Sequence, residues 1–468
     1  MSEWEPVIGL EIHVQLKTET KMFCRCRNGF GGEPNAQTCP VCLAFPGALP
    51  VPNRRAIEDT IKLGLALGSE IAERAVFHRK NYFYPDNPKA YQISQYDEPL
   101  CVGGSVDVPT EDGDVRIGIV RAHLEEDAAK NVHVAASGRI HGATATLVDF
   151  NRCGSPLVEI VTQPDIHSAD VAKRFLQLLR QTIVELGISD AELEKGTMRF
   201  DVNVSVRPAG SDELRTRTEL KNMNSFNFAV KGIDREVARQ IGIYEAGGTV
   251  DQETLHFDPA NEDSPPLRSK EEADDYRYFP EPDLVPVHPP PDVVERLRAE
   301  IGELPSERIG RIARTLSFYD ADVLVTGGLD RLWSALVDEG VDPKEAANVL
   351  ANDFAATGGD PARVNAAEFA KLIKVRQTIP REAFVRGVAS TTTESFAVTD
   401  FTQETVVGDV SALDPVIDEI IAANAGQVAA YRSGKEGLLG FFVGQVMKAT
   451  GGKADPRVVN ERLREKLG

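Results

Sequence analysis

Val7-Ile-Gly-Leu-Glu-Ile-His-Val-Gln-Leu16 alternates along its whole length. Ile8, Leu10, Ile12, Val14 and Leu16 fall on one side and Glu11, His13 and Gln15 on the other, the two-residue period of a half-buried strand. Met198–Arg207 repeats the pattern, with Met198, Phe200, Val202, Val204 and Val206 inward and Arg199, Asp201, Asn203, Ser205 and Arg207 outward. Pro208-Ala-Gly-Ser-Asp212 is turn chemistry, so Leu214–Leu220 is expected as a hairpin partner. Apolar residues near the 3.6-residue period over Arg55–Leu67 and Ala169–Leu186 add helices. The class expected is α+β with a mainly antiparallel sheet.

Outward from this core, Val285-Pro-Val-His-Pro-Pro-Pro-Asp292 breaks the pattern and is expected as a stiff linker. Beyond it the periodicity turns helical. Short amphipathic helices are expected over Pro305–Leu316, Asp330–Asp338, Pro343–Ala351, Ala366–Thr378, Pro415–Ala423, Val443–Ala449 and Pro456–Leu467, the last with Asp455 as N-cap.

At 468 residues the chain has room for about two to four domains, and 42% apolar with 26% charged residues is enough to build full cores. No apolar run reaches the ~18 residues of a membrane span, and the acidic N-terminus lacks the character of a signal peptide, so the cytoplasm is the expected location. A net charge of −20 argues against indiscriminate nucleic-acid binding. Tyr431–Gly468 is the exception, with eight Lys or Arg against four Asp or Glu.

Five groupings carry chemistry. Glu11 and His13 share a strand face, close enough to share a metal ion, although alone the pair fits the polar face of an ordinary strand better. Arg121-Ala-His-Leu-Glu-Glu-Asp127 sets three acids in a row, which suits either a solvated loop or a place where Mg²⁺ meets phosphate. Thr216–Phe226 packs basic, acidic and amide groups as densely as a charged ligand requires, or as a surface hairpin allows. Cys24-x-Cys26 and Cys39-Pro-Val-Cys42 have the spacing of a closed four-thiolate zinc knot rather than a disulfide framework. Arg79–Tyr96 and Tyr276–Asp283 mix tyrosines, cations and prolines, as a packed loop or a ligand wall does. There is no Walker A loop, serine elbow or Cys–His glutaminase signature, so ammonia would have to come from a partner.

Together these segments resemble the B-subunit family of the GatCAB amidotransferases. The resemblance is carried by Val7–Leu16, Cys39–Leu43 with Pro46–Val51, Arg79–Tyr96, His123–Lys130, Glu219–Phe226, Asp274–Asp283, and Gly440–Lys448 with Ala454-Asp-Pro456. It implies a catalytic region over 1–292 similar to the glutamine synthetase/guanido kinase fold, a helical domain over 293–405 and a YqeY-like tRNA-binding tail over 406–468. Family members use ATP and Mg²⁺ to phosphorylate the side-chain carboxylate of Glu-tRNA(Gln) or Asp-tRNA(Asn), then let ammonia displace the phosphate. Their partners are the amidase A subunit and a small C subunit. Carried over residue by residue, His13, Glu126 and Glu219 match the Mg²⁺ positions, with Glu11 and Glu125 beside them. Lys80, Tyr82, Lys89 and Asp201 match the ammonia passage, and Cys24, Cys26, Cys39 and Cys42 match a structural Zn²⁺ quartet. Lys435, Lys448, Lys453 and Arg457 are then candidates for tRNA phosphate contacts. The archaeal relative GatE carries an inserted synthetase-like domain for which this chain has no room. Two further readings stay open: a stand-alone ammonia ligase of the glutamine synthetase type, and a non-catalytic zinc and RNA-binding module.

Overall fold

Alternation in the opening strand becomes a sheet centre. In the computed structural model, which describes residues 3–135, 142–221, 223, 225–256, 266–269, 273–402, 410–451, 454 and 456–468, Trp4–Gln15 pairs antiparallel with Pro156–Thr162 on one side and Met198–Pro208 on the other. Val7, Ile8, Leu10, Ile12 and Val14 are all buried. Each such aliphatic side chain contributes about 1.5–3 kcal/mol relative to exposure.

The strands run in the order Pro266–Ser269, Glu253–His256, Thr218–Lys221, Met198–Pro208, Trp4–Gln15, Pro156–Thr162, Gly113–Glu126, Cys101–Val102, Glu70–Ile71. Thr218–Lys221 runs parallel to Glu253–His256; its neighbours along this path pair antiparallel. The expected hairpin partner of Met198–Pro208 is present, beginning at Thr218. A smaller sheet, Phe279–Pro280, His78–Asn81 and Tyr91–Ser94, brings both tyrosine-rich segments together.

Helices Arg54–Ala66 and Ala169–Glu185 lie within a residue of expectation. Phe226–Glu245 is the longest of the helices that periodicity misses, with Phe318–Thr326, Arg381–Ser390 and Ala425–Arg432 among the others. Its interior Gly232 and Gly242 lower helix propensity, yet Ser225 caps it by accepting the Phe228 N–H. A Cβ at Gly232 would sit 2.8 Å from the Met223 methyl, so the glycine lets this helix lie close.

The proline run expected as a stiff linker is held against the first unit. Val287 exchanges two backbone hydrogen bonds with Ala75, and Pro291 opens the helix Pro291–Ala299, where a proline's missing N–H costs nothing. That helix packs on Arg54–Ala66 through Arg296–Glu58 and, just past its end, Lys62–Glu300. The chain instead divides into two compact units at Glu307/Arg308.

The second unit is helical. Phe318–Thr326, Asp330–Asp338, Pro343–Val349, Ala366–Lys374 and Arg381–Ser390 are followed by Val410–Ala423, Ala425–Arg432, Leu439–Ala449 and Pro456–Leu467. The last four enclose a core of their own around Ile417, Phe442, Val446 and Leu463. Val410–Ala423 starts before the expected Pro415, which lies inside it. The expected N-cap Asp455 falls outside the described residues. Among the described residues no helix is long and apolar enough to cross a membrane.

Candidate active site and cysteine centre

Strand register builds the site. His13 lies directly across from Glu159, and Glu159 directly across from His123. On the other flank Glu11 faces Asp201, and Asn203 faces Glu219 one strand further out. Because alternate residues share a face, neighbouring strands present one row of carboxylates and imidazoles. The His13 Nε2 is 3.4 Å from Glu159, 3.7 Å from Glu125 and 3.7 Å from Glu11. His123 Nε2 is 3.7 Å from the same Glu159 oxygen. Ligand atoms of Glu11, His13 and Glu159, and those of His123, Glu125 and Glu159, lie within 4.8 Å of one another, so either trio can hold a cation.

Electrostatics separate the groups. Burial alone would depress the His13 imidazole, but Glu159, Glu125 and Glu11 outweigh it and lift it to about 9. Burial takes His123 down to about 4 despite Glu159. Burial, then Glu159, raises Glu125 to about 7. Burial would also raise Glu159, yet His123, His13 and Lys80 hold it below the usual carboxylate range. Glu125 and Glu159 repel each other across this buried cluster, and a divalent cation held between them would relieve that repulsion.

Glu11, His123 and Glu159 of the row line an open cleft of about 280 Å³, with His13 and Glu125 directly against them. Its rim carries Lys80, Arg121, Arg217 and Lys221 beside Tyr96, Tyr276 and Tyr278. Tyr96 stacks on Tyr278 at 4.4 Å, and Lys80 lies 4.8 Å above the Tyr276 ring. Glu219 also lines this cleft, accepting a hydrogen bond from Thr254 at 2.9 Å. Lys221 pairs with Asp201 at 2.6 Å and with Glu219 at 3.4 Å.

The expected Mg²⁺ trio is only partly gathered. His13 is in the row and Glu219 on the cleft wall, but Glu126 takes the opposite direction from Glu125, as successive strand residues must. It ion-pairs with Lys89 and accepts the Ile93 N–H at 3.0 Å. That places Glu126 and Lys89 in a second cleft of about 210 Å³, shared with Phe23, Cys42, Phe45 and Tyr91. The four residues expected to form one polar passage are likewise spread. Lys80 lines the acidic cleft and Lys89 the second; Tyr82 meets Tyr276 edge-on at 6.5 Å, and Asp201 is bound to Lys221.

Cys24, Cys26, Cys39 and Cys42 converge, their sulfurs within 4.8 Å of one another. Cys39 and Cys42 are 3.9 Å apart, close to the spacing of two thiolates on one tetrahedral ion. The Cys39 N–H donates to the Cys42 sulfur at 3.1 Å, and the buried Lys21 ammonium sits 3.8 Å away. A hydrogen bond from Cys24, against burial, brings Cys42 down to about 5. The quartet fits a metal and is free of disulfides. In the tail, Lys435, Lys448 and Arg457 are exposed. Lys453 falls outside the described residues.

Residues 6–295 match the family model described as the GatB/GatE catalytic domain, and residues 331–467 match that of the GatB domain. The chain belongs to the GatB/GatE family. Among relatives in that family, the B subunit of the aspartyl/glutamyl-tRNA(Asn/Gln) amidotransferase of Anaeromyxobacter sp. (strain Fw109-5) is 47% identical, over 100% of this chain and 99% of its own length. The B subunit of the Geobacter sulfurreducens enzyme is 47% identical over 99% of each chain, and that of Syntrophotalea carbinolica 45% identical over 100% and 99%.

Sequence reasoning about this family member misses two residues of the row. Glu159 stands alone in the apolar run Pro156-Leu-Val-Glu-Ile-Val-Thr162, and a single acid in a strand buried on both sides is itself a signal. His123 lies within the acidic motif Arg121–Asp127, where the three acids draw attention away from the imidazole beside them.

Proposed function

We propose that this chain is the ATP-using B subunit of a glutamine-hydrolysing, tRNA-dependent amidotransferase. It acts with an amidase A subunit and a small C subunit on Glu-tRNA(Gln), Asp-tRNA(Asn) or both. The observation that carries this reading is the carboxylate–imidazole row, three of whose members line a cleft together with four cationic side chains. A carboxylate is a poor acylating agent. Its oxygen attacks the terminal phosphorus of ATP, ADP leaves, and the product is an acyl phosphate. Ammonia then attacks the acyl carbon, inorganic phosphate leaves, a proton is released, and the side chain becomes an amide.

His13, Glu11, Glu125 and Glu159 would hold Mg²⁺, with Glu219 available from the cleft wall. Bound there, it supplies neutralisation of phosphate charge. Lys80, Arg121, Arg217 and Lys221 bind and orient the anionic groups, and the Tyr96–Tyr278 stack excludes water from one side of the cleft. Lys89 with Glu126, and Tyr82 and Asp201 nearer the acidic cleft, belong to the route by which ammonia arrives. The cysteine quartet holds Zn²⁺ in a structural role. The catalytic unit has the glutamine synthetase/guanido kinase fold. The last four helices form the YqeY-like tail, with Lys435, Lys448, Lys453 and Arg457 toward tRNA phosphates. The finer boundary before that tail falls near residues 405–406.

The test is ATP-dependent amidation of both misacylated tRNAs by this chain assembled with its A and C partners, ammonium replacing glutamine. Amide that requires ATP and Mg²⁺ is the expected product. No amide from either tRNA, with the complex intact, would remove the catalytic assignment.

A further inference from the structure

A third cleft, of about 390 Å³, is larger than the two described above and has no part in the chemistry assigned to them. Strand geometry puts it at the end of the carboxylate–imidazole row. Gln15 and Asp127 follow His13 and Glu125 by two residues, so they keep the same face about 7 Å further along. The Asp127 N–H continues the strand pairing by donating to the Ser155 carbonyl at 2.8 Å. The Gln15 amide donates to the Asp127 carboxylate at 2.6 Å, and both Gln15 and Ser155 line the cleft.

Two features of its wall point to one class of ligand. Lys17, Lys130, Arg152 and Lys195 line it against two acids, Asp149 and Asp190, in a chain whose net charge is −20. Lys17 and Asp190 pair at 3.0 Å with both side chains at least half exposed, a contact that water and salt weaken. Asp149, directly across from the exposed Lys130, accepts the Asn35 and Asn151 N–H groups at 3.0 Å each. The Arg152 guanidinium is held in place by the Ala128 and Ala129 carbonyls at 2.9 and 2.8 Å.

Phe30 belongs to the same wall and is 71% exposed. Gly31 beside it is left-handed at φ 74°, and the Asn28 amide ties the root of this loop to the Leu16 carbonyl at 2.8 Å. A ring left in solvent on a pinned loop adds nothing to the core. Beside cations it offers the two contacts that a nucleotide takes, a flat face for the base and positive charge for the phosphate. An acidic peptide would use the charges and leave the ring idle.

We propose that this cleft binds a nucleotide, its base stacked on Phe30 and its phosphate against Lys130, Lys17 and Arg152. This rests on the function proposed above, which brings two sources of that chemistry to the row: the nucleoside triphosphate and the single-stranded 3′ end of the tRNA.

The test uses exposed positions, Phe30→Ala, Phe30→Tyr and Lys130→Gln, which leave the core untouched. In the assembled complex, dissociation constants are measured for a non-hydrolysable ATP analogue with Mg²⁺, for tRNA(Gln), and for tRNA(Gln) lacking its 3′-terminal nucleotides. Phe30→Ala should raise the constant of one of the two full ligands about tenfold to a hundredfold, the range for losing an aromatic platform under a base. Phe30→Tyr should keep it within about threefold of wild type. Lys130→Gln should raise the same constant and flatten its salt dependence. A rise for the ATP analogue assigns the cleft to the triphosphate. A rise for full-length tRNA, with no further loss for the shortened one, assigns it to the 3′ end. Both constants within about twofold of wild type in Phe30→Ala, or both raised together, overturns the proposal. An active wild-type complex with unchanged variant constants sinks this inference alone, whereas a wild-type complex that makes no amide removes the earlier reading and leaves the binding constants to decide this one.

Discussion

The two candidate centres are assembled in opposite ways. Four cysteines come from one stretch, Cys24 to Cys42, whereas the carboxylate–imidazole row takes Glu11 and His13, His123 and Glu125, and Glu159 from three separate strands. The first is a local motif whose spacing carries its chemistry, and a loop can close around it. The second exists only when strand register sets His13 against Glu159 and Glu159 against His123. The difference teaches where each should fail. Damage to the quartet should act on stability, and damage to the row on chemistry.

The largest effect expected is from Glu159→Gln, which keeps the shape of the side chain and removes the charge nearest both imidazoles. Amidation with ammonium should fall about 10²–10³-fold, the scale of a lost electrostatic contact in an active site, with the melting temperature little changed. Amidation within threefold of wild type would mean that the row is not the reacting centre. Cys39→Ser should do the reverse. Metal content measured by mass spectrometry should fall, and chemical unfolding should show more than about 4 kcal/mol of stability lost, as expected for a structural metal. The protein that remains folded should keep its turnover. A normal metal content in this variant would break the comparison on its other side.

Adjacent residues sharpen it further. Glu125→Gln should raise the Mg²⁺ concentration that amidation requires about 10–100-fold, whereas Glu126→Gln, facing Lys89, should leave that requirement unchanged. Equal effects in a Mg²⁺ titration would show that both carboxylates reach one site. The smallest effect belongs to neither centre. Ser225→Ala removes the cap of Phe226–Glu245, at about 1 kcal/mol by chemical unfolding, without altering Mg²⁺ dependence.

What the sequence makes legible follows the same division. Alternation places Glu11 and His13 on one face, and the Cys-x-Cys and Cys-x-x-Cys spacing brings four thiols together. Helix limits are close over Arg54–Ala66 and Ala169–Glu185, whose apolar stripes are unbroken, and Phe226–Glu245 is missed where Gly232 and Gly242 interrupt the stripe. The prolines of 285–292 resemble a linker because their pairing partner, Ala75, lies some two hundred residues away in sequence. Glu159 stays hidden because its significance depends on the residues across from it. Glu125 and Glu126 are hard to tell apart for a related reason: three acids in a row populate both faces of a strand, and only the fold separates the one beside His13 from the one beside Lys89.

His13 is the residue on which the chemistry can be tested most directly, because its imidazole touches three carboxylates of the row. The measurement is ATP- and Mg²⁺-dependent amidation of Glu-tRNA(Gln) and Asp-tRNA(Asn) with ammonium, by the assembled complex carrying His13→Ala, beside the glutaminase activity of its A subunit. The result expected is loss of amide from both tRNAs, with assembly and tRNA binding retained. Amide formed at the wild-type rate by the His13→Ala complex would contradict it and move the chemistry away from this face of the sheet.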